Sequence, residues 1–165
     1  MARRYVPAIA AVAVALSGCG AKADVWRLYH NTRFGVTADY PAGWQMQPEP
    51  ENNDGRIFVS PDGRARVTIS GIFALDSRAQ ELADEAKPRE GEQVTFKTQK
   101  SDWIVLSGVR GNMIFYRKAL ISCKDTVWNH VQIEYPAEDK AKYDSLVAHI
   151  AASLRSGSGY DAQCK

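Results

Sequence analysis

The sequence predicts an α+β domain whose sheet is mostly antiparallel, with about six to seven strands and two helices. Three observations carry this. Residues 34–40 and 66–73 alternate apolar and polar side chains with a period of two, the pattern of strands with one buried face. Residues 143–154 carry a single apolar stripe at helical spacing. Strand-like runs follow one another directly, and the strong helix comes last, whereas a parallel sheet would alternate strands with helices.

The first strand holds Phe34, Val36, Ala38 and Tyr40 on one side and Gly35, Thr37 and Asp39 on the other, and Pro41 ends it. Residues 47–55 are polar with two prolines and read as a loop. A short strand over 56–60, the turn Pro61-Asp62-Gly63 and the alternating run 66–73 make a hairpin. Residues 75–87 form the first helix. Ser77 caps it, and Ala79, Leu82, Ala83 and Ala86 give a small face that lies shallowly on the sheet. Strands are expected at 93–98, 103–107, 113–120 and 127–135, with a hairpin turn from Gly108 to Gly111. In the last of these, Val127, Asn129, Val131, Ile133 and Tyr135 share a side. The terminal helix spans 136–155. Pro136 suits its start, because a proline lacks only an N–H that has no partner there. Tyr143, Leu146, Val147, Ile150 and Leu154 form its stripe, with Lys140, Lys142, Asp144 and His149 off it. Ser156-Gly157-Ser158-Gly159 ends the helix and leads a flexible tail to Cys164.

The beginning of the chain reads as an address. Arg3 and Arg4 precede an uncharged apolar run over residues 6–16, shorter than the roughly twenty residues needed to cross a bilayer. A basic segment, a short apolar run and small residues describe a secretory signal peptide. Leu16-Ser17-Gly18-Cys19 resembles the lipobox of bacterial lipoproteins, which implies cleavage after residue 18 and lipid attachment at Cys19. Several acyl chains on one residue exceed what stable anchoring to a membrane requires. The alternative is the small-x-small sequence Ala21-Lys22-Ala23, which would release a soluble periplasmic protein beginning at Asp24. The expected organisation is a leader over 1–18, a tether over 19–28 and one domain over 29–165.

There are three cysteines. Cys19 is acylated or removed, which leaves Cys123 and Cys164 as a pair in an oxidising compartment. A disulfide between them would tie the tail to the domain. A metal pair is the weaker reading, since there is no CxxC and His30, His130 and His149 do not stand at ligand spacing from either cysteine.

Charge and motifs exclude several classes. The chain has 21 basic and 19 acidic residues; loss of Arg3 and Arg4 with the leader makes the two counts equal. A balanced chain without a basic stripe gives nucleic-acid binding no support. Asn52-Asn53-Asp54-Gly55 hints at a calcium loop, but the EF-hand register puts Pro50 and Pro61 at its ends. There is no GxSxG, HExxH, P-loop or GxGxxG, and no cofactor is expected. Glu81, Asp84 and Glu85 read as a solvated acidic face, His130 as facing solvent, and Cys123 as structural because no base adjoins it. Trp26, Trp44, Trp103 and Trp128 read as core and rim packing, with one or two available to line a groove.

The segment from Phe34-Gly35-Val36 through Tyr40-Pro41 to Trp44 resembles the opening of PsbP-like α/β/α sandwich domains. Asn53-Asp54-Gly55 to Phe58, Ser60-Pro61-Asp62-Gly63-Arg64, residues 102–108, Phe115-Tyr116-Arg117-Lys118 and the ending from Tyr135-Pro136 to Arg155 resemble uncharacterised exported lipoproteins of alphaproteobacteria. The likeness covers residues 29–155 and rests on short structural motifs. It implies accessory or adaptor proteins that bind without catalysis, and it carries over no functional residue. Two functions follow as expectations: a lipid-anchored periplasmic binding module whose partner is an envelope protein or a small ligand, or a small envelope hydrolase with a divergent site. A pocket gathering His130 or His149 with a carboxylate of shifted pKa would favour the second.

Overall fold

The segment Val127–Pro136 carries buried side chains on both of its faces, so the sheet that contains it must be covered on both sides. The computed structural model describes residues 25–160 and 163–164 and shows how this is done. Strands β1 (Trp26–His30) and β2 (Thr37–Pro41) pair antiparallel as a small sheet of their own. β3 (Gln45–Met46), β4 (Gly55–Val59) and β5 (Arg66–Phe73) lead to helix α1 (Arg78–Glu85). β6 (Gln93–Gln99), β7 (Trp103–Arg110), β8 (Met113–Ser122) and β9 (Val127–Pro136) follow, then a 3-10 turn (Ala137–Asp139) and helix α2 (Lys140–Ser153). The main sheet is antiparallel throughout, in the order β3-β4-β5-β9-β8-β7-β6.

One face of this sheet packs against α2 and the small sheet. Val36, Ala38, Tyr40, Phe58, Val67, Ile69, Val131, Ile133, Tyr135, Tyr143, Leu146 and Ile150 form a continuous buried cluster there. The other face is covered in part by α1, where Leu82 joins Ile104, Leu106, Phe115, Ala119, Ile121 and Trp128. The expected stripe of α2 is therefore the face that seals the larger core.

Several expectations change. The described residues hold nine strands, because β1 and β3 add to those read from the pattern. The tether expected to reach Leu28 is shorter, since β1 already begins at Trp26; β1 completes β2, and one strand cannot stand alone as a sheet. Residues Phe34 and Gly35 lie in a tight turn before β2 and not in a strand. Gly35 takes a φ of 77°, and the side chain of Asn31 accepts a 2.8 Å hydrogen bond from the Phe34 N–H. Gly108 lies inside β7 and not in the turn. A Cβ there would stand 2.0 Å from the carbonyl oxygen of Gln93, beside the bulge of β6 between Val94 and Phe96, so Gly108 permits a close backbone approach. The hairpin turn is Gly111-Asn112, with Gly111 at a φ of 61°. Pro136 closes β9 and does not start the helix; at the end of a ladder its missing N–H costs little.

The tail returns across the domain. Arg155 bridges to Thr37, and Tyr160 packs its ring 4.9 Å from Phe73 and 5.8 Å from Phe34. Cys123 and Cys164 are joined in a disulfide with Cα atoms 4.9 Å apart. Cys19 lies outside the described residues. No described helix is long and apolar enough to cross a membrane.

Candidate functional site

The α1 face of the main sheet is covered only in part. Period-two alternation places Thr68 and Ser70 of β5, His130, Gln132 and Glu134 of β9, and Arg117 of β8 on this face. Ladder register sets Ser70 opposite His130, and Gln132 between Thr68 and Arg117. Glu85 from the end of α1 and Arg89 from the following loop form the wall. All of these but Glu134 line a cleft of about 270 Å³.

The cleft is a network of fixed charges. His130 Nε2 lies 3.0 Å from Glu85 Oε1. Arg117 Nη1 donates to Glu92, whose side chain is wholly enclosed, at 2.9 Å, and Arg117 Nη2 donates to the Lys87 carbonyl at 3.3 Å. Glu92 also accepts the Arg89 backbone N–H at 2.8 Å, which holds the loop after α1 against the sheet. Arg89 Nη1 donates to Gln132 Oε1 at 2.6 Å, and Gln132 Nε2 donates to Glu134 at 3.2 Å. Glu134 is 3% exposed and sits between Arg66 and Arg110, paired with both. A buried carboxylate needs such partners to remain charged.

These contacts set the acidities. Burial by itself raises the Glu85 carboxyl, but the hydrogen bond and charge of His130, with Arg89 and Arg117 nearby, hold it below the ordinary carboxylate range. Burial lowers Arg117, the charge of Arg89 adds to that, and Glu92 and Glu85 only partly offset them. Glu81 is likewise held low: three hydrogen bonds, from Asp76 N–H, Trp128 Nε1 and Leu75 N–H, outweigh its burial.

Two sequence readings are overturned here. His130 is half-buried against Glu85 and does not face open solvent, because α1 lies over this face of β9. The acidic cluster of α1 is not one solvated face. Glu81 accepts from the Trp128 indole at 2.6 Å and Glu85 meets His130, while Asp84 alone of the three stays at the surface with Lys87 and Gln80. Ser77 caps α1 as expected, accepting from Gln80 N–H, yet only Leu82 of its apolar face is buried.

The other candidate residues fall elsewhere. His149 leaves the α2 stripe to meet Asp39 at 2.9 Å and stacks on Trp26, with ring centroids 3.8 Å apart. His30 is exposed. Trp128 is fully buried, and Trp26 and Trp44 pack against the larger core. Among the described residues no group of three His, Cys, Asp or Glu side chains gathers at metal-binding distance. Arg89, Glu92, Arg117 and Glu134 were not singled out by sequence reasoning. The available signal was a charge standing in the middle of an apolar strand, at Arg117 and Glu134.

No family model and no curated protein matches the sequence. Solved structures do. The solution structure of cyanobacterial PsbP (CyanoP) from Synechocystis is similar at 11% identity and a TM-score of 0.57, covering 84% of this chain and 96% of that one. The Ran-binding protein Mog1p of Saccharomyces cerevisiae is similar at 8% identity and a TM-score of 0.53, covering 81% and 96%. LpqN of Mycobacterium tuberculosis, described as involved in cell envelope biogenesis, is similar at 14% identity and a TM-score of 0.51, covering 82% and 92%. The fold is PsbP-like. At such identities the likeness establishes architecture alone.

Proposed function

We propose that this chain is an exported, lipid-anchored accessory protein of the bacterial envelope that binds its partner or ligand without catalysis, as the alphaproteobacterial lipoproteins it resembles are expected to do. One observation carries the binding reading: the cleft beside α1 is concave, and its charges are locked in mutual pairs, Glu85 with His130 and Glu92 with Arg117. Such groups form a preorganised surface, whereas a general acid or base needs a pKa near its working pH, and Glu85 is pushed away from that. The anchor reading rests on the lipobox at Cys19. Seven residues lead from Cys19 to Trp26, at most about 25 Å of extended chain, so the domain would sit close to the membrane. Detergent partitioning of the mature protein, lost in Cys19→Ala, tests the anchor; a free amino terminus at Asp24 overturns it. Crosslinking from the cleft in envelope preparations tests the binding role.

The hydrolase alternative is favoured by the cleft's gathering of His130 with Glu85, a carboxylate of shifted pKa, and by one further observation. Ser70 stands opposite His130 in the β5–β9 ladder, and His130 is oriented by Glu85, an order of residue types that can activate a hydroxyl. Covalent labelling of Ser70 by a fluorophosphonate, abolished in His130→Ala, would establish it in place of the accessory reading.

A further inference from the structure

We propose that the cleft lined by Thr68, Ser70, Arg89, Arg117 and His130 binds a small oxyanion: a phosphate or carboxylate group, free or carried as the charged end of a larger ligand. This rests on the binding-module reading above and names the chemistry of the ligand.

The guanidinium groups of Arg89 and Arg117 line the same cavity. Arg89 Nη1 bonds the Gln132 side chain, and Gln132 stands opposite Arg117 in the β8–β9 ladder, so the two arginines meet around one residue. Two like charges side by side in a partly buried cleft are unfavourable unless an anion comes to them. Internal acids do not fully supply one. Glu92 pairs with Arg117 Nη1 and the Arg89 backbone, and Glu85, which lines the same cavity, meets His130 and only partly offsets the arginines. Arg117 is more than nine-tenths buried, and its Nε is enclosed without any hydrogen-bond partner. The fold leaves that enclosed donor unsatisfied, a cost rarely carried in folded proteins.

The floor matches. Hydroxyls of Thr68 and Ser70 lie in adjacent cross-strand rows next to Gln132 and His130, so hydrogen-bonding groups adjoin the two cations on the floor of the cleft, with the Glu85 carboxylate in its wall. Guanidinium groups present planar paired donors to phosphate and carboxylate oxygens. The cavity, about 270 Å³, lies just below the roughly 300–1,000 Å³ of sites that enclose drug-sized ligands, which suits one anionic group and its bridging waters.

The test titrates inorganic phosphate into the full-length protein at fixed ionic strength, with chloride as control, followed by calorimetry and by amide shifts in NMR. A second arm uses vesicles of phosphatidylcholine with and without phosphatidylglycerol. Saturable phosphate binding that shifts Ser70, Arg89 and His130 is expected. Arg89 is exposed, so Arg89→Met should fold; loss of a charge-assisted contact should weaken binding about tenfold or more. Ser70→Ala should weaken it less. Binding confined to phosphatidylglycerol vesicles and lost in Arg89→Met also supports the proposal, with a lipid headgroup as the source. No saturable binding in either arm, or binding unchanged in Arg89→Met, overturns it. If the proposal fails while crosslinking from the cleft still captures a partner, the binding-module reading stands alone. Fluorophosphonate labelling of Ser70 instead removes that reading, whatever phosphate does.

Discussion

His130 Nε2 and Glu85 Oε1, 3.0 Å apart, fasten the last turn of α1 to β9, the central strand of the main sheet. The contact sits between the part of that face covered by α1 and the cleft beside it. Toward α1 the sheet presents Trp128, Ala119 and Ile121; away from it, Ser70, Gln132 and Glu134. Holding the end of α1 in place also fixes where Arg89 and Glu92 emerge.

This contact predicts a pH dependence. The Glu85 carboxyl is lowered in the folded chain, so its contribution is fully present above the ordinary carboxylate pKa of about 4.3 and fades as pH falls through the folded value. Glu85→Gln should cost about 1–2 kcal/mol at pH 7. The difference from wild type in urea unfolding should shrink at pH 3. An equal difference at both pH values would show that the charge of Glu85 does not stabilise the fold.

The stripe of α2 should behave as core. Ile150 is 0% exposed and Leu146 is 8% exposed within the larger cluster. Truncation of either to Ala should cost about 2–5 kcal/mol, with Ile150 at the upper end. A loss below about half a kcal/mol in denaturant unfolding would contradict this burial.

Gly108→Ala should destabilise although alanine is small. The new Cβ would meet the backbone at Gln93, which cannot rotate away as a side chain can, and overpacking of this kind costs about 1–3 kcal/mol. Gly111, at a φ of 61° and with open space around it, should lose less when changed to Asn, which tolerates that conformation, than to Val. Thermal unfolding of the three variants ranks them.

The disulfide closes a sequence separation of 41 residues, for which the chain-entropy model gives about 4 kcal/mol. Reduction should lower the unfolding midpoint and release the tail, so that Tyr160 no longer covers Phe34 and Phe73. Limited proteolysis before and after reduction reads this directly. Two free thiols in the oxidised, denatured protein would rule the bond out.

The sequence by itself determined the strand runs from 56 onward, the Ser77 cap, the α2 stripe and the α+β class, because each is written in local periodicity and side-chain chemistry. It missed β1 because Trp26–His30 has no clean alternation; the strand exists through its pairing with β2 and the stacking of Trp26 on His149. It took Gly108 for a turn residue because a glycine that grants positive φ and one that admits a neighbouring backbone look alike in a sequence. The cleft was least legible. Alternation put His130 on the face opposite the larger core, but it does not reveal whether that face meets water or another layer. Only the tertiary structure decided this, by laying one short helix over part of the face: burial then turned Glu85 toward His130 and Glu92 toward Arg117, since charges taken from water must find partners.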